Sequence, residues 1–124
     1  AASDVYKRQA LFCLKTKTGH DLAGVISFDA DPETDLLPCW ADSLKPSVEF
    51  ARVAVSLKYQ GCGISGKLFS CASLEAKKRG FRGVRYLVAK TNRIALHAYR
   101  KLRFPTVGEC MYHGVEYWCC EKEI

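Results

Sequence analysis

The stretch Gln60-Gly61-Cys62-Gly63-Ile64-Ser65-Gly66 decides the reading of this chain. It follows Val48-Glu49-Phe50-Ala51-Arg52-Val53-Ala54-Val55, which predicts a strand, and it opens a helix predicted to end near Lys78. Three glycines in seven residues weaken any ordinary helix start, so something other than helix propensity selected them. Glycine lets the backbone come close to a ligand, and several N–H groups at a helix N-terminus can point together at one anion. A phosphate-bearing ligand is the functional reading; a tight strand-to-helix turn that binds nothing is the alternative. Two nucleotide signatures fail. A P-loop needs lysine followed by Ser or Thr, whereas Lys67 is followed by Leu68. A dinucleotide fingerprint needs an acidic residue about twenty positions on, where the chain reads Gly80-Phe81-Arg82-Gly83-Val84-Arg85-Tyr86.

The 124 residues are enough for one domain with a modest core, and 48% hydrophobic content excludes a disordered chain. No apolar run reaches the ~20 residues of a membrane span, and the N-terminus lacks the apolar segment of a signal peptide. The seven cysteines are odd in number, unlike a secreted disulfide framework. Neither their spacing nor that of His20, His97 and His113 makes a zinc pattern, so no metal is expected. Free thiols in a reducing cytosol account for them, which predicts a cytoplasmic protein.

The net charge of +6 raises a nucleic-acid-binding module as an alternative. The basic residues are dispersed, however, and the densest cluster, Lys77-Lys78-Arg79-Gly80-Phe81-Arg82, ends a predicted helix, where it complements the dipole. An anionic ligand uses the same charge equally well.

Along the chain, Ala10–Lys17 and Leu22–Phe28 predict two strands joined by a turn at Thr18–Asp21. Asp29–Pro46 reads as a loop, within which Leu36–Ser43 is a candidate for a short helical turn or a cover over an apolar ligand. On Val48–Val55, simple alternation puts Glu49, Ala51, Val53 and Val55 on one face and Phe50, Arg52 and Ala54 on the other. Ile64–Lys78 predicts a helix ended by Gly80, Gly83–Ala89 a strand, Asn92–Leu102 a second helix stopped by Pro105, and Thr106–Met111 with Val115–Glu121 a closing hairpin. The order is βββαβαββ, an α/β (α+β mixed-sheet) pattern.

Gln60, Gly63 and, imperfectly, Ser65 resemble motif A of the GNAT acyltransferases, Gln/Arg-x-x-Gly-x-Gly/Ala. Asn92, Ala95 and Tyr99, followed by Lys101-Leu102-Arg103-Phe104, resemble that family's second signature, although Arg103 stands where the family usually has glycine. The resemblance covers about residues 10 to 124 and implies a GNAT fold without its first strand and first two helices, leaving an apolar face exposed. Asp4-Val5-Tyr6-Lys7-Arg8-Gln9 resembles the translation of a sequencing-library adaptor, so residues 1–9 are expected not to be native and residues 10–124 to form the GNAT-like domain.

The resemblance implies an N-acetyltransferase that moves an acetyl group from acetyl-CoA to a primary amine by direct attack. Val53, Ala54 and Val55 would meet the acetyl-pantetheine end, with a backbone N–H at Val55 polarising the carbonyl. Gly61, Cys62, Gly63, Ile64, Ser65 and Gly66 would cradle the pyrophosphate, anchored by Gln60 and supplemented by Lys67. Asn92 would touch the pantetheine arm or simply cap its helix. Tyr99 would protonate the departing thiolate, and Glu49 is the nearest acid for a general base acting through water. His113 and Glu116 are candidates to line the acceptor site. A homodimer through the last strands is implied, and a catalytically silent CoA-binding or scaffold domain is the other alternative.

Overall fold

The computed structural model describes residues 9–15, 19 and 21–124. The adaptor-like leader, apart from Gln9, and most of the turn after the first strand lie outside them. The elements run β1 (Gln9–Lys15), β2 (Leu22–Asp29), a one-turn helix α1 (Pro32–Asp35), β3 (Ser47–Val55), α2 (Ile64–Lys78), β4 (Gly83–Ala89), α3 (Arg93–Lys101), β5 (Thr106–Tyr112) and β6 (Val115–Glu123). They form one mixed sheet in the order β1-β2-β3-β4-β6-β5, parallel only between β3 and β4. Leaving aside α1, this is the expected βββαβαββ order. The segment read as a loop is more structured than expected: α1 is capped by Asp31, whose carboxylate accepts the Glu33 N–H at 2.9 Å, and a 3-10 turn covers Asp42–Leu44.

α2 lies on one face of the sheet because Leu68, Phe69, Ala72 and Ala76 recur at helical spacing and are all buried. They meet Ile26, Phe28, Val48, Phe50, Val84 and Tyr86. Aromatic rings dominate this core: Phe50 stands 5.3 Å from Phe69 and 5.9 Å from Tyr86 between ring centroids. Each such side chain contributes roughly 1.5–3 kcal/mol through burial.

The opposite face is held by segment 30–46. The Trp40 indole donates to the Thr34 carbonyl at 2.8 Å and lies under the Arg85 guanidinium, 5.0 Å from its ring centroid. Arg85 is fully buried and donates to the Asp35 carboxylate at 2.8 Å, while the Ala41 N–H donates to Glu121 at 3.0 Å. Among the described residues, large apolar side chains that remain exposed include Leu11, Leu36, Leu57, Leu74 and Ile94.

One expectation for β3 is overturned. Val25 pairs with Ala54 and Ser27 with Ala51, so Arg52 and Val53 stand opposite the single residue Ile26. This bulge inverts the alternation. Val48 and Phe50 face the core before it, and Val53 and Val55 face the core after it. Glu49 and Ala51 therefore do not share a face with Val53 and Val55.

At the end of α3, Arg103 takes the left-handed conformation (φ 58°) that favours glycine, and the turn is intact: the Phe104 N–H reaches the Tyr99 carbonyl at 3.0 Å. A side chain in this region costs about 1 kcal/mol. Arg103→Gly is therefore expected to raise the melting temperature by a few degrees, and calorimetry that found no rise would show that Arg103 makes compensating contacts.

Candidate active site

β3 and β4 pair only at Ser47–Gly83, Val48–Val84 and Glu49–Arg85. Beyond Glu49 the strands diverge, which leaves the β4-facing backbone groups of Phe50–Val55 outside the parallel ladder. The two strands are thus splayed over the C-terminal part of β4, up to Ala89. Val53 and Val55 pack on the core, whereas Ala54 is exposed.

Beyond β3, a 3-10 turn at Leu57–Tyr59 leads into the glycine-rich loop. Gly61 (φ 82°) and Gly63 (φ 74°) are both left-handed, and an added Cβ at either would meet nothing within 4 Å. Conformation, not crowding, requires glycine there. Gly63 is the N-cap of α2 and no side chain caps it, so the first-turn N–H groups of Ile64, Ser65 and Gly66 keep their bonding capacity for something outside the helix. Gln60, Cys62 and Lys67 are exposed around this end.

On the face opposite α2, the splay opens into a cleft of about 370 Å³ lined by Asp31, Glu49, Ala51, Tyr86, Tyr112 and Tyr117, among others. Burial pushes Glu49 up to about 7, against the pull of Arg85 and with help from Asp31 and Asp29, and Glu49 Oε1 is buried without a hydrogen-bond partner among the described residues. Desolvation and the carboxylates of Glu33, Asp31 and Glu49 push Tyr112 up to about 12. The cleft is thus an acidic region in a basic chain. His113 does not line it; its Nε2 lies 3.0 Å from Glu33. Glu116 is exposed and offers its carbonyl to the Lys90 N–H at 3.0 Å.

Tyr99 stacks on Tyr86 with ring centroids 4.3 Å apart, and burial raises its phenol, which keeps it protonated at neutral pH. The Tyr86 hydroxyl is buried, lacks a hydrogen-bond partner of good geometry among the described residues, and is raised by burial, Tyr99 and Glu49. Tyr86 thus stacks on Tyr99 and lines the same cleft as Glu49. Asn92 caps α3, its Oδ1 accepting the Ala95 N–H at 3.2 Å. Tyr86, Tyr112 and Asp31 were missed as site residues; the aromatic positions of β4 and β5 were the available signal, but only the splay shows where they open.

The sequence profile of the acetyltransferase (GNAT) family matches residues 3–104. The chain belongs to the GNAT acetyltransferase family. Membership supports acetyl-CoA-dependent acyl transfer at the level of the family. Comparison with curated protein sequences finds no significant match. Among solved structures, this GNAT chain is similar to nourseothricin acetyltransferase (TM-score 0.70, 20% identity), covering 94% of this chain and 65% of that one. It is similar to a chimera of the Vibrio cholerae spermidine N-acetyltransferase SpeG with hSSAT (TM-score 0.67, 16% identity, covering 94% and 67%). It is also similar to an N-acetyltransferase from Staphylococcus aureus Mu50 (TM-score 0.68, 19% identity, covering 93% and 67%). At these identities the likeness establishes the GNAT fold, and the chain spans about two thirds of these relatives' length.

Proposed function

We propose that the chain is an N-acetyltransferase that transfers the acetyl group of acetyl-CoA to a primary amine by direct attack within a ternary complex. The observation that carries this reading is the β3–β4 splay, which has an uncapped helix N-terminus beyond one strand, Glu49 and Tyr86 lining the cleft it opens, and Tyr99 stacked on Tyr86. The glycine conformations at 61 and 63 and the open space beside them fit a pyrophosphate, held by the N–H groups of Ile64–Gly66 with Lys67 adding charge.

Acetyl-CoA supplies the activated thioester. Glu49 takes a proton from the amine through a water as the nitrogen attacks the carbonyl carbon. A β3 N–H near Val55 stabilises the developing oxyanion, and Tyr99 gives its proton to the sulfur as the C–S bond breaks. Asp31 and Glu49 in the cleft favour a positively charged amine as acceptor. The seven free thiols suit a reducing compartment, the cytoplasm being our assignment, and among the described residues no helix is long and apolar enough to cross a membrane. Val107 and Met111 are exposed on edge strand β5 and are where a homodimer would form.

Calorimetric titration with acetyl-CoA tests the assignment. Saturable binding is expected, and Gly63→Val, which forces a β-branched residue to φ 74°, should weaken it at least tenfold. Folded protein that binds no acetyl-CoA would end the acyltransferase reading, and binding without turnover on any amine would favour the silent CoA-binding domain. Tyr99→Phe is expected to lower kcat about tenfold with KM for acetyl-CoA little changed; an unchanged kcat would leave Tyr99 a packing residue.

A further inference from the structure

Three cysteines that are distant in sequence meet on the sheet face opposite α2. Cys39 comes from segment 30–46, Cys110 from β5 and Cys119 from β6, and no two of their sulfurs are more than 4.8 Å apart. Cys119 is buried, while Cys39 and Cys110 are half-buried and give the cluster a route to solvent. Sulfurs sharing one ion at a Zn–S length of about 2.3 Å stand roughly 4 Å apart, so a small closing movement completes such a set. β5 makes room for it. Gly108 pairs with Cys119 across the β5–β6 ladder, and a Cβ on Gly108 would stand 3.2 Å from the Cys39 Cβ. Burial raises the Cys39 and Cys119 thiols, and a bound cation would reverse that by displacing their protons.

We propose that Cys39, Cys110 and Cys119 form a thiolate site for a soft divalent cation of the zinc class, with its remaining position filled by water. Binding replaces three S–H bonds by three metal–sulfur bonds and releases three protons to solvent, leaving a site of net charge −1 from a 2+ ion and three thiolates. The ion ties segment 30–46, which carries Asp31, to the β5–β6 hairpin, which carries Tyr112 and Tyr117. Its role is structural, and it does not depend on the acyltransfer reading.

The test is titration of the whole chain, reduced with a phosphine, with Cd²⁺ and Zn²⁺. Sulfur-to-cadmium charge-transfer absorption, proton release and melting temperature are followed. One ion per chain, three protons released and a higher melting temperature are expected. Cys39→Ser and Cys110→Ser, each checked for folding by circular dichroism, should weaken binding at least 100-fold, and Cys71→Ser, an exposed cysteine on α2, should not change it. Gly108→Ala keeps all three thiols yet should weaken binding about tenfold by displacing Cys39. Absence of binding by the reduced chain, binding that survives Cys39→Ser in folded protein, or a Cys39 disulfide with no metal uptake after reduction would each overturn the proposal.

Discussion

Glu49→Gln is expected to lower kcat about 100-fold while making the protein more stable above neutral pH. The first effect follows from removing a base positioned at the cleft, a contribution of roughly 10²–10⁴ in rate, here at the low end because a water intervenes. Wild-type kcat/KM should rise with pH through about 7 as the carboxyl ionises. The variant should lose that limb and keep only the ionisation of the amine. The second effect is linkage. Burial pushes the folded carboxyl up to about 7 from its ordinary value of 4.5, so between these pH values the native state holds a proton that the unfolded chain has released. Stability therefore falls as pH rises through this window, by up to about 3 kcal/mol once the group is ionised. The glutamine carries no such penalty. The two proteins should melt together near pH 4.5 and separate at pH 8, with the variant higher. A variant with kcat within threefold of wild type and an unchanged acid limb would remove Glu49 from the mechanism.

Asp35→Ala is expected to cost about 3 kcal/mol in a urea unfolding experiment, an effect out of proportion to a residue whose side chain is 43% exposed. The reason lies with its partner. Arg85 is wholly buried, its Nε already lacks a hydrogen-bond partner among the described residues, and the Asp35 contact at 2.8 Å is its only close carboxylate pairing there. Removing that carboxylate strands a charge beneath segment 30–46. Arg85→Met in the same background should recover most of the loss, because it removes the stranded charge and keeps most of the volume. Arg85→Met alone should also shift the acid limb of kcat/KM upward, since Arg85 is the group that holds Glu49 down. A loss below 1 kcal/mol for Asp35→Ala would mean that water replaces the carboxylate.

Much of this arrangement was legible in the residues. The 3.6-residue spacing in Ile64–Lys78, the glycines before it, Asn92 at a cap position and Pro105 after α3 all carry local physical signals, and these elements stand within a residue or so of where those signals put them. The bulge in β3 was not legible. Arg52 and Val53 look like ordinary alternation, and an extra residue exists only relative to β2. The perturbed state of Glu49 was equally hidden, because it arises from burial and from Arg85, Asp31 and Asp29 together. The meeting of Cys39, Cys110 and Cys119 depends on where segment 30–46 lands, which no spacing rule encodes.

The bulge also bears on how this strand can vary. Because the phase changes at Arg52–Val53, positions before it present Glu49 and Ala51 to the cleft, whereas positions after it serve the core. A single strand thus carries two separately adjustable registers, and substitutions that retune the reagent end leave the load on Val53 and Val55 untouched. Loss of one residue at the bulge would merge the two. It would turn either the acid toward the hydrophobic interior or the valines toward water, so length is more tightly constrained at this point than residue identity.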